Sequence, residues 1–209
     1  MNRILLYLLL VLLAGCVGNP PRAIEVSRHD LGDPPEPLVQ QAVAITRVDV
    51  QSAHWLDTTV QQYRLVFRDP LTRRNYADNR WIAAPGELLE RWLDRHFLGG
   101  QVGAGGAGSG CRLVVQLDEL EQRFATPQSS QIFLSVRASL YPARNDTWLG
   151  GKSFNIVQAA PTPDARGGVQ ATRAAAVVLT QELARWFEEI TRARSLTLAA
   201  CNSKEERVP

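Results

Sequence analysis

The stretch CRLVVQLDELEQRFATPQSSQIFLSVRASL, residues 111–140, contains two long runs in which apolar and polar residues alternate. Apolar residues occupy every odd position from Cys111 to Leu117 and every even position from Ile132 to Leu140. Because successive side chains of a strand point to opposite faces, this alternation predicts two strands, and the segment ATPQSSQ between them predicts a turn. The apolar residues move to even positions after Asp118, so we expect a β-bulge there.

Further strands are predicted on both sides of this pair. Each is a short run of apolar residues at alternate positions, bounded by residues that favour turns. The predicted strands are Gln41–Val50, a strand marked by Tyr63, Leu65 and Phe67, a strand from the RDPL turn to Trp81, and Gly151–Ala159.

Two segments have the periodicity of amphipathic helices. Pro85 suits the first turn of one helix, which Gly99 and Gly100 end. A longer helix follows the segment PTPDARGG, residues 161–168. Apolar residues at helical spacing predict a buried face on each helix: Leu88, Leu89, Trp92, Leu93 and Phe97 on the first, and Ala175, Val178, Leu179, Leu183, Trp186, Phe187 and Ile190 on the second.

The order of strands, helix, three meandering strands and helix predicts a single α/β domain, in which two main amphipathic helices cover a sheet. The 209 residues are 45% hydrophobic and 21% charged, which is ordinary for a globular chain with one core. The formal net charge is only +2, and the basic residues are scattered among acidic ones. We therefore predict no nucleic-acid-binding face.

The N-terminus carries the segment LLLVLLAGCVGNP, from Leu8 to Pro20. Ten uncharged residues, Ile4–Leu13, follow Arg3, a length that suits a secretory signal and is too short for a membrane span. Leu13-Ala14-Gly15-Cys16 resembles a bacterial lipobox, which implies cleavage before Cys16 and a lipid on its sulfur. The alternatives are a buried N-terminal helix or a plain signal with an incidental cysteine.

The lipobox divides the chain into four parts: a signal peptide at 1–15, a lipidated N-terminus with a short tether at 16–23, a domain at 24–194 and a tail at 195–209. In similar lipoproteins an aspartate after the cysteine signals retention at the inner membrane, and here that position is Val17. The resemblance therefore implies a lipid anchor at the periplasmic face of the outer membrane. A short tether keeps the domain close to the lipid.

Two cysteines remain after Cys16, namely Cys111 and Cys201. An oxidising periplasm would permit a disulfide between them. Two separate thiols are the alternative, and the sequence leaves both open.

The sequence contains no pattern that predicts a catalytic site or a metal site. His29, His54 and His96 are widely spaced and form no metal-ligand pattern. His54 and Asp57 in HWLD could form an acid–base pair, but no serine in a nucleophile elbow accompanies them. We predict a protein that is not an enzyme, with no metal and no cofactor other than the covalent lipid on Cys16.

The chain resembles the ABC-type transport auxiliary lipoproteins. The resemblance rests on the lipobox and on three segments: HWLDTTVQQYRLVFRD at His54–Asp69, NRWIAAPGELLERWLDRHF at Asn79–Phe97, and ATRAAAVVLTQELARWFEEI at residues 171–190. It implies a mixed sheet and a non-catalytic auxiliary subunit that works with an MCE-domain protein of an ABC-type lipid transporter. The aromatic-rich first strand of the family is weak here, between Ala23 and Leu31.

Two other classes of function remain open. One is a structural or assembly lipoprotein of an outer-membrane complex without a transport role, and the other is a periplasmic ligand-binding module or hydrolase. Co-purification with an MCE-domain protein distinguishes a transport role from the structural role. A bound ligand in native mass spectra favours the ligand-binding module. Assembly of several copies into a homo-oligomer is also left open.

Exposed aromatic and arginine side chains are the expected partner contacts, since both are enriched at binding hot spots. The HWLD loop and the RDPLTRRNY hairpin supply Trp55, Arg73, Arg74 and Tyr76 outside the apolar stripes. The alternative is that these residues merely cover a hairpin. Trp81 and Trp92 could be core or interface residues, and the apolar stripe that Trp92 shares with Leu88 and Leu93 favours the core.

Overall fold

The computed structural model describes residues 25–35, 43–98, 110–193 and Cys201. The predicted anchor at Cys16, its tether and all of the tail but Cys201 lie outside the described residues. The described part of the chain contains seven strands, two long helices and a 3₁₀ turn at His54–Leu56. The elements are β1 Ser27–His29, β2 Ile45–Ser52, β3 Val60–Leu65, β4 Arg73–Trp81, α1 Pro85–Leu98, β5 Cys111–Thr126, β6 Ser129–Pro142, β7 Gly150–Ala159 and α2 Ala165–Ala193.

The strands form one mixed sheet in the order β1-β4-β3-β5-β6-β7, and β2 also pairs with β5. The β1–β4, β2–β5 and β3–β5 pairs are parallel, whereas β3–β4, β5–β6 and β6–β7 are antiparallel. The predicted single-domain α/β fold, with a mixed sheet and two main helices, is confirmed.

The 16-residue strand β5 organises the sheet because two strands share one of its edges. Its first half pairs with β2, and its second half pairs with β3 through Tyr63–Leu65. The register shifts between Leu117 and Glu119, which is the bulge that the sequence predicts beside Asp118. The chain crosses from β2 to β3 at this point, where the Ala53 amide donates a 2.8 Å hydrogen bond to the Leu117 carbonyl.

Both helices pack against the same face of the sheet and against each other. The Trp92 indole on α1 donates a 3.1 Å hydrogen bond to the Thr180 hydroxyl on α2. The Phe97 and Phe187 rings also meet, with their centroids 5.6 Å apart. Every apolar residue of the two predicted stripes is buried except Val178, which is half-buried.

Two strand predictions need correction, and the weak first strand is observed as a short one. The sequence predicts a strand through Phe67, but β3 ends at Leu65 because the Arg68 and Asp69 amides both turn back to bond its carbonyl. The strand predicted at Gln41–Val50 is β2, Ile45–Ser52, and the first two residues of the prediction lie outside the described residues. The first strand, β1, is only three residues long and pairs with the end of β4.

Trp81 and Trp92 are buried, as predicted. Neither long helix in the described part of the chain is apolar enough to cross a membrane.

Candidate functional site

The side of the sheet opposite the helices is exposed to solvent along β5, β6 and β7. Before the bulge, the odd positions of β5 are buried under the helices and the even positions point the other way. The strand register aligns these outward positions in rows, such as Gln116 with Arg137 and Ser153. We call this surface the open face, and it comprises Arg112, Val114, Gln116, Arg137, Ser139, Tyr141, Gly151 and Ser153 together with Trp148. These residues line a shallow depression of about 740 Å³.

Trp148 is the largest apolar side chain of the open face. It precedes β7, and 56% of it is exposed although Leu149 beside it is buried. Gly151 lies next to the indole, since a Cβ atom at this position would stand 3.5 Å from Trp148 Cζ2. The indole therefore lies against the sheet at Gly151, and more than half of its surface stays exposed.

The arginines of the open face are neutralised by neighbouring acids. Arg137 forms two 2.7 Å hydrogen bonds to Asp118, which hold the pKa of that carboxyl below its usual value. Arg112 contacts Asp146 at 2.5 Å and stacks over the Tyr141 ring at 5.2 Å. The open face thus offers aromatic and hydrogen-bonding groups more than net positive charge.

Past the bulge, the same side of the sheet carries a cluster of charged residues around Glu121. The Glu121 side chain is fully buried and accepts hydrogen bonds from Nε of Arg123 at 2.6 Å and Nε of Arg64 at 3.1 Å. Arg73 binds Glu119 at 2.6 Å and lies 3.7 Å from Glu121. Three arginines therefore surround two carboxylates, and they hold β3, β4 and β5 together.

The four predicted interface residues do not form one surface. Trp55 is 56% exposed on the 3₁₀ turn, and its carbonyl accepts a 3.4 Å hydrogen bond from Gln62. The same Gln62 accepts a 2.8 Å hydrogen bond from Arg73, so the structure brings Trp55 and Arg73 close together. Arg74 follows Arg73 in β4 and therefore points to the opposite face of the sheet, where it pairs in register with Tyr63.

Tyr76 also lies on the face opposite Arg73. Its hydroxyl donates a 3.0 Å hydrogen bond to Gln122, and its ring packs on Tyr63 with centroids 4.6 Å apart. Burial raises the pKa of this phenol. Tyr76 is thus engaged inside the domain and is poorly placed to bind a partner.

Neither Trp148 nor the Glu121 cluster is predicted from the sequence. Trp148 could have been noticed as an aromatic residue in the polar segment NDTW between two predicted strands. No sequence signal points to Glu121, because it is surrounded by arginines of β3 and β4, whose positions beside β5 the periodicity does not reveal.

The three histidines lie apart in the fold. His29 Nε2 lies 2.9 Å from Asn79 Oδ1, His54 starts the 3₁₀ turn, and burial lowers the pKa of His96 on α1. Within residues 25–35, 43–98, 110–193 and 201, no three His, Cys, Asp or Glu side chains are grouped as metal ligands.

Cys111 and Cys201 are joined by a disulfide, with their Cα atoms 5.2 Å apart. Both residues are buried, and the Gly110 amide donates a hydrogen bond to the Cys201 carbonyl. The bond ties the beginning of β5 to the chain beyond α2.

Comparison with known proteins identifies the fold alone. No protein-family model and no curated protein matches the chain. The crystal structure of a DUF330-family protein from Xanthomonas campestris is similar at 16% identity and a TM-score of 0.66, over 81% of this chain and 99% of that one. The crystal structure of an uncharacterized protein is similar at 13% identity and a TM-score of 0.59, over 78% of this chain and 98% of that one.

Proposed function

We propose that this chain is a lipoprotein anchored through Cys16 at the periplasmic face of the outer membrane. There it acts as a non-catalytic auxiliary subunit of an ABC/MCE-type envelope lipid transport system, in contact with the MCE-domain protein. The lipobox and the sequence resemblance to the transport auxiliary lipoproteins support the anchor and the partner.

The open face is the structural observation that supports a docking role. Both helices cover one side of the sheet, so the other side of β5–β7 presents a broad surface with an exposed indole at Trp148. Tryptophan, tyrosine and arginine are the residues enriched at binding hot spots, and the open face contains all three. A rigid sheet also presents such residues without ordering a loop, which lowers the entropic cost of association.

A pull-down from the native envelope tests the proposal. The full chain with a C-terminal affinity tag is extracted in mild detergent, and its partners are identified by mass spectrometry. We expect an MCE-domain protein among them, together with a mature N-terminus that carries lipid on Cys16.

The Cys16→Ser variant is the control for the anchor. It should remain a longer, unprocessed precursor that incorporates no labelled palmitate, whereas normal processing of this variant would refute lipidation. Recovery of an outer-membrane complex without any MCE-domain protein would support the structural role instead. A stoichiometric small molecule with no partner protein would support the ligand-binding alternative.

A further inference from the structure

The turn between β3 and β4 presents a cluster of exposed apolar side chains. We call residues 66–72 the hairpin tip. Within it, Val66 is 40% exposed, Phe67 47% and Leu71 89%. These three side chains, all within one seven-residue turn, offer apolar area that the domain leaves exposed.

Internal hydrogen bonds hold the hairpin tip in one shape. The Asp69 carboxylate accepts a 3.1 Å hydrogen bond from the Leu71 amide and another from the Thr72 hydroxyl. The Asp69 amide in turn donates a 2.8 Å bond to the Leu65 carbonyl, and the Val66 amide donates a 2.9 Å bond to Phe124 on β5. The apolar side chains are therefore displayed by an ordered turn.

Basic residues flank the apolar side chains. Residues 64–74 include four arginines. Arg64 and Arg73 bind the carboxylates of the Glu121 cluster, and Arg74 points to the opposite face, so Arg68 is the cation presented beside the apolar side chains. Arg68 is exposed between Phe67 and Asp69. Apolar side chains bordered by arginine suit the boundary between lipid headgroups and acyl chains, where the apolar groups enter the hydrocarbon and the cations meet phosphate.

The direction of β1 relates the start of the described chain to the hairpin tip. β4 begins at the tip and runs away from it, and β1 is parallel to β4, with Ser27 beside Asn79. The chain therefore enters β1 from the side of the hairpin tip.

Lengths along the strands agree with this direction. From Asn79 back to Arg73, where the tip ends, the distance is about 20 Å at 3.4 Å per residue. Eleven residues lead from Cys16 to Ser27 and span at most about 38 Å, so a lipid on Cys16 can lie level with the tip. The opposite end of the sheet, at Cys111, lies about 30 Å from Ser27 in the direction in which β1 runs. A lipid on Cys16 could lie there only if the segment before β1 turned back on itself.

We propose that the hairpin tip inserts Phe67 and Leu71 into the same lipid surface that holds the acylated Cys16. This inference rests on the proposed anchoring and adds the orientation of the domain. The tip end of the sheet faces the membrane, and the end that carries the Cys111–Cys201 disulfide faces the periplasm. The open face is then upright on the membrane surface, at a large angle to it, where a partner can reach it.

Spin-label depth measurements test the orientation on the full, lipid-bearing chain. Leu71→Cys introduces a reactive thiol at the tip, and Asn145→Cys introduces one in the exposed turn after β6, at the opposite end of the sheet. Both variants carry the same nitroxide and are reconstituted in vesicles of phosphatidylethanolamine and phosphatidylglycerol. Mass spectrometry first establishes the lipid on Cys16 in each preparation.

We expect the label at position 71 to collide with oxygen dissolved in the bilayer and to lose contact with a water-soluble nickel reagent. The label at position 145 should show the reverse, and it corrects for any affinity of the nitroxide itself for lipid. A lipidated chain whose label at position 71 is as accessible to nickel as that at position 145 overturns the inference alone. Protection from nickel without oxygen collisions would indicate contact between protein copies and would also overturn it. Absence of lipid on Cys16 overturns both this inference and the proposed anchoring.

Discussion

Glu121 is completely buried on β5, and its carboxylate accepts a 2.6 Å hydrogen bond from the Nε atom of Arg123, two residues further along the same strand. Arg64 on β3 approaches the same carboxylate at 3.1 Å. Burial of an isolated charge costs free energy, and the hydrogen bonds from the arginines offset that cost for the Glu121 carboxylate. The ion pairs therefore fix β3 against the second half of β5, where only three residue pairs form the register.

Replacing Glu121 with alanine should destabilise the domain strongly. The change leaves Arg64 and Arg123 without their carboxylate partner and Arg73 with Glu119 alone. Breaking such a buried pair from one side costs about 3 kcal/mol in the free energy of unfolding. Glu119→Ala is the matched control, because Arg73 keeps Glu121 nearby and the Glu119 side chain is partly solvated. Chemical denaturation of both variants measures the difference. Equal losses of unfolding free energy in the two variants would show that the burial of Glu121 does not determine its contribution to stability.

The beginning of α2 provides a second prediction, which depends on pH. Asp164 precedes the helix and accepts a 2.7 Å hydrogen bond from the Gly167 amide, as an N-cap residue does. This bond, with a second from the Thr162 hydroxyl, holds the pKa of Asp164 below its usual value. The carboxylate therefore stabilises the folded state above the pKa of an unfolded aspartate, and the contribution is lost as the pH falls through the lower folded pKa.

Asp164→Ala should lose about 1 kcal/mol of stability at neutral pH, which is typical of a lost N-cap. Asp164→Asn is the sharper control, because asparagine also caps helices but does not titrate. We expect its stability at neutral pH to stay near that of the natural chain and its loss of stability in acid to be smaller. Thermal unfolding across acidic pH values measures both effects. An unchanged acid profile in Asp164→Asn would contradict the assignment.

The sequence predicts the local elements well because their signals are local. The alternation around Cys111–Leu117 identifies β5, its change of phase identifies the bulge, and Pro85 marks the first residue of α1. Strand pairing, in contrast, has no local signal in the sequence. Nothing in the alternation of β2 or β3 reveals that both pair with one edge of β5, since periodicity specifies a face and not a neighbour.

The same limit explains the partial success with the candidate site. Trp55 is exposed, as the sequence suggests, but neighbouring residues of a strand point to opposite faces, so Arg73 and Arg74 separate. Recognising the open face requires knowing that both helices lie on one side of the sheet. That fact depends on contacts such as Trp92 with Thr180, which are 88 residues apart in the chain.

The two cysteines in the described residues give a third prediction. The disulfide joins positions 90 residues apart, and the chain-entropy description credits closure of such a loop with about 4.6 kcal/mol. We expect alkylation of the non-reduced, mature protein to modify neither Cys111 nor Cys201, with mass spectrometry as the readout. Two alkylated thiols would contradict the bond. The Cys111→Ser/Cys201→Ser variant should unfold at a lower denaturant concentration than the oxidised protein, by an amount close to that of reduction.

The last prediction concerns the partner. Trp148 and Trp55 are each 56% exposed, so they form a matched pair of indoles at different places on the domain. If the open face docks the MCE-domain protein, Trp148→Ala should weaken association by about 2 kcal/mol, or roughly thirtyfold, as truncation of a hot-spot residue does. Its thermal stability should be unchanged, because most of the ring is already in water.

Trp55→Ala serves as the comparison, since the sequence also favours it as a contact. The pair Arg73→Ala/Arg74→Ala is less informative, because Arg73 binds Glu119 and its loss would disturb the fold together with any interface. Co-purification and titration with the isolated partner measure both tryptophan variants against the natural chain. Loss of the partner in Trp148→Ala alone supports the open face, and loss in Trp55→Ala alone moves the docking surface to the 3₁₀ turn. Undiminished binding in both variants would refute docking through either indole, because a hot-spot aromatic that is truncated without effect carries none of the binding energy.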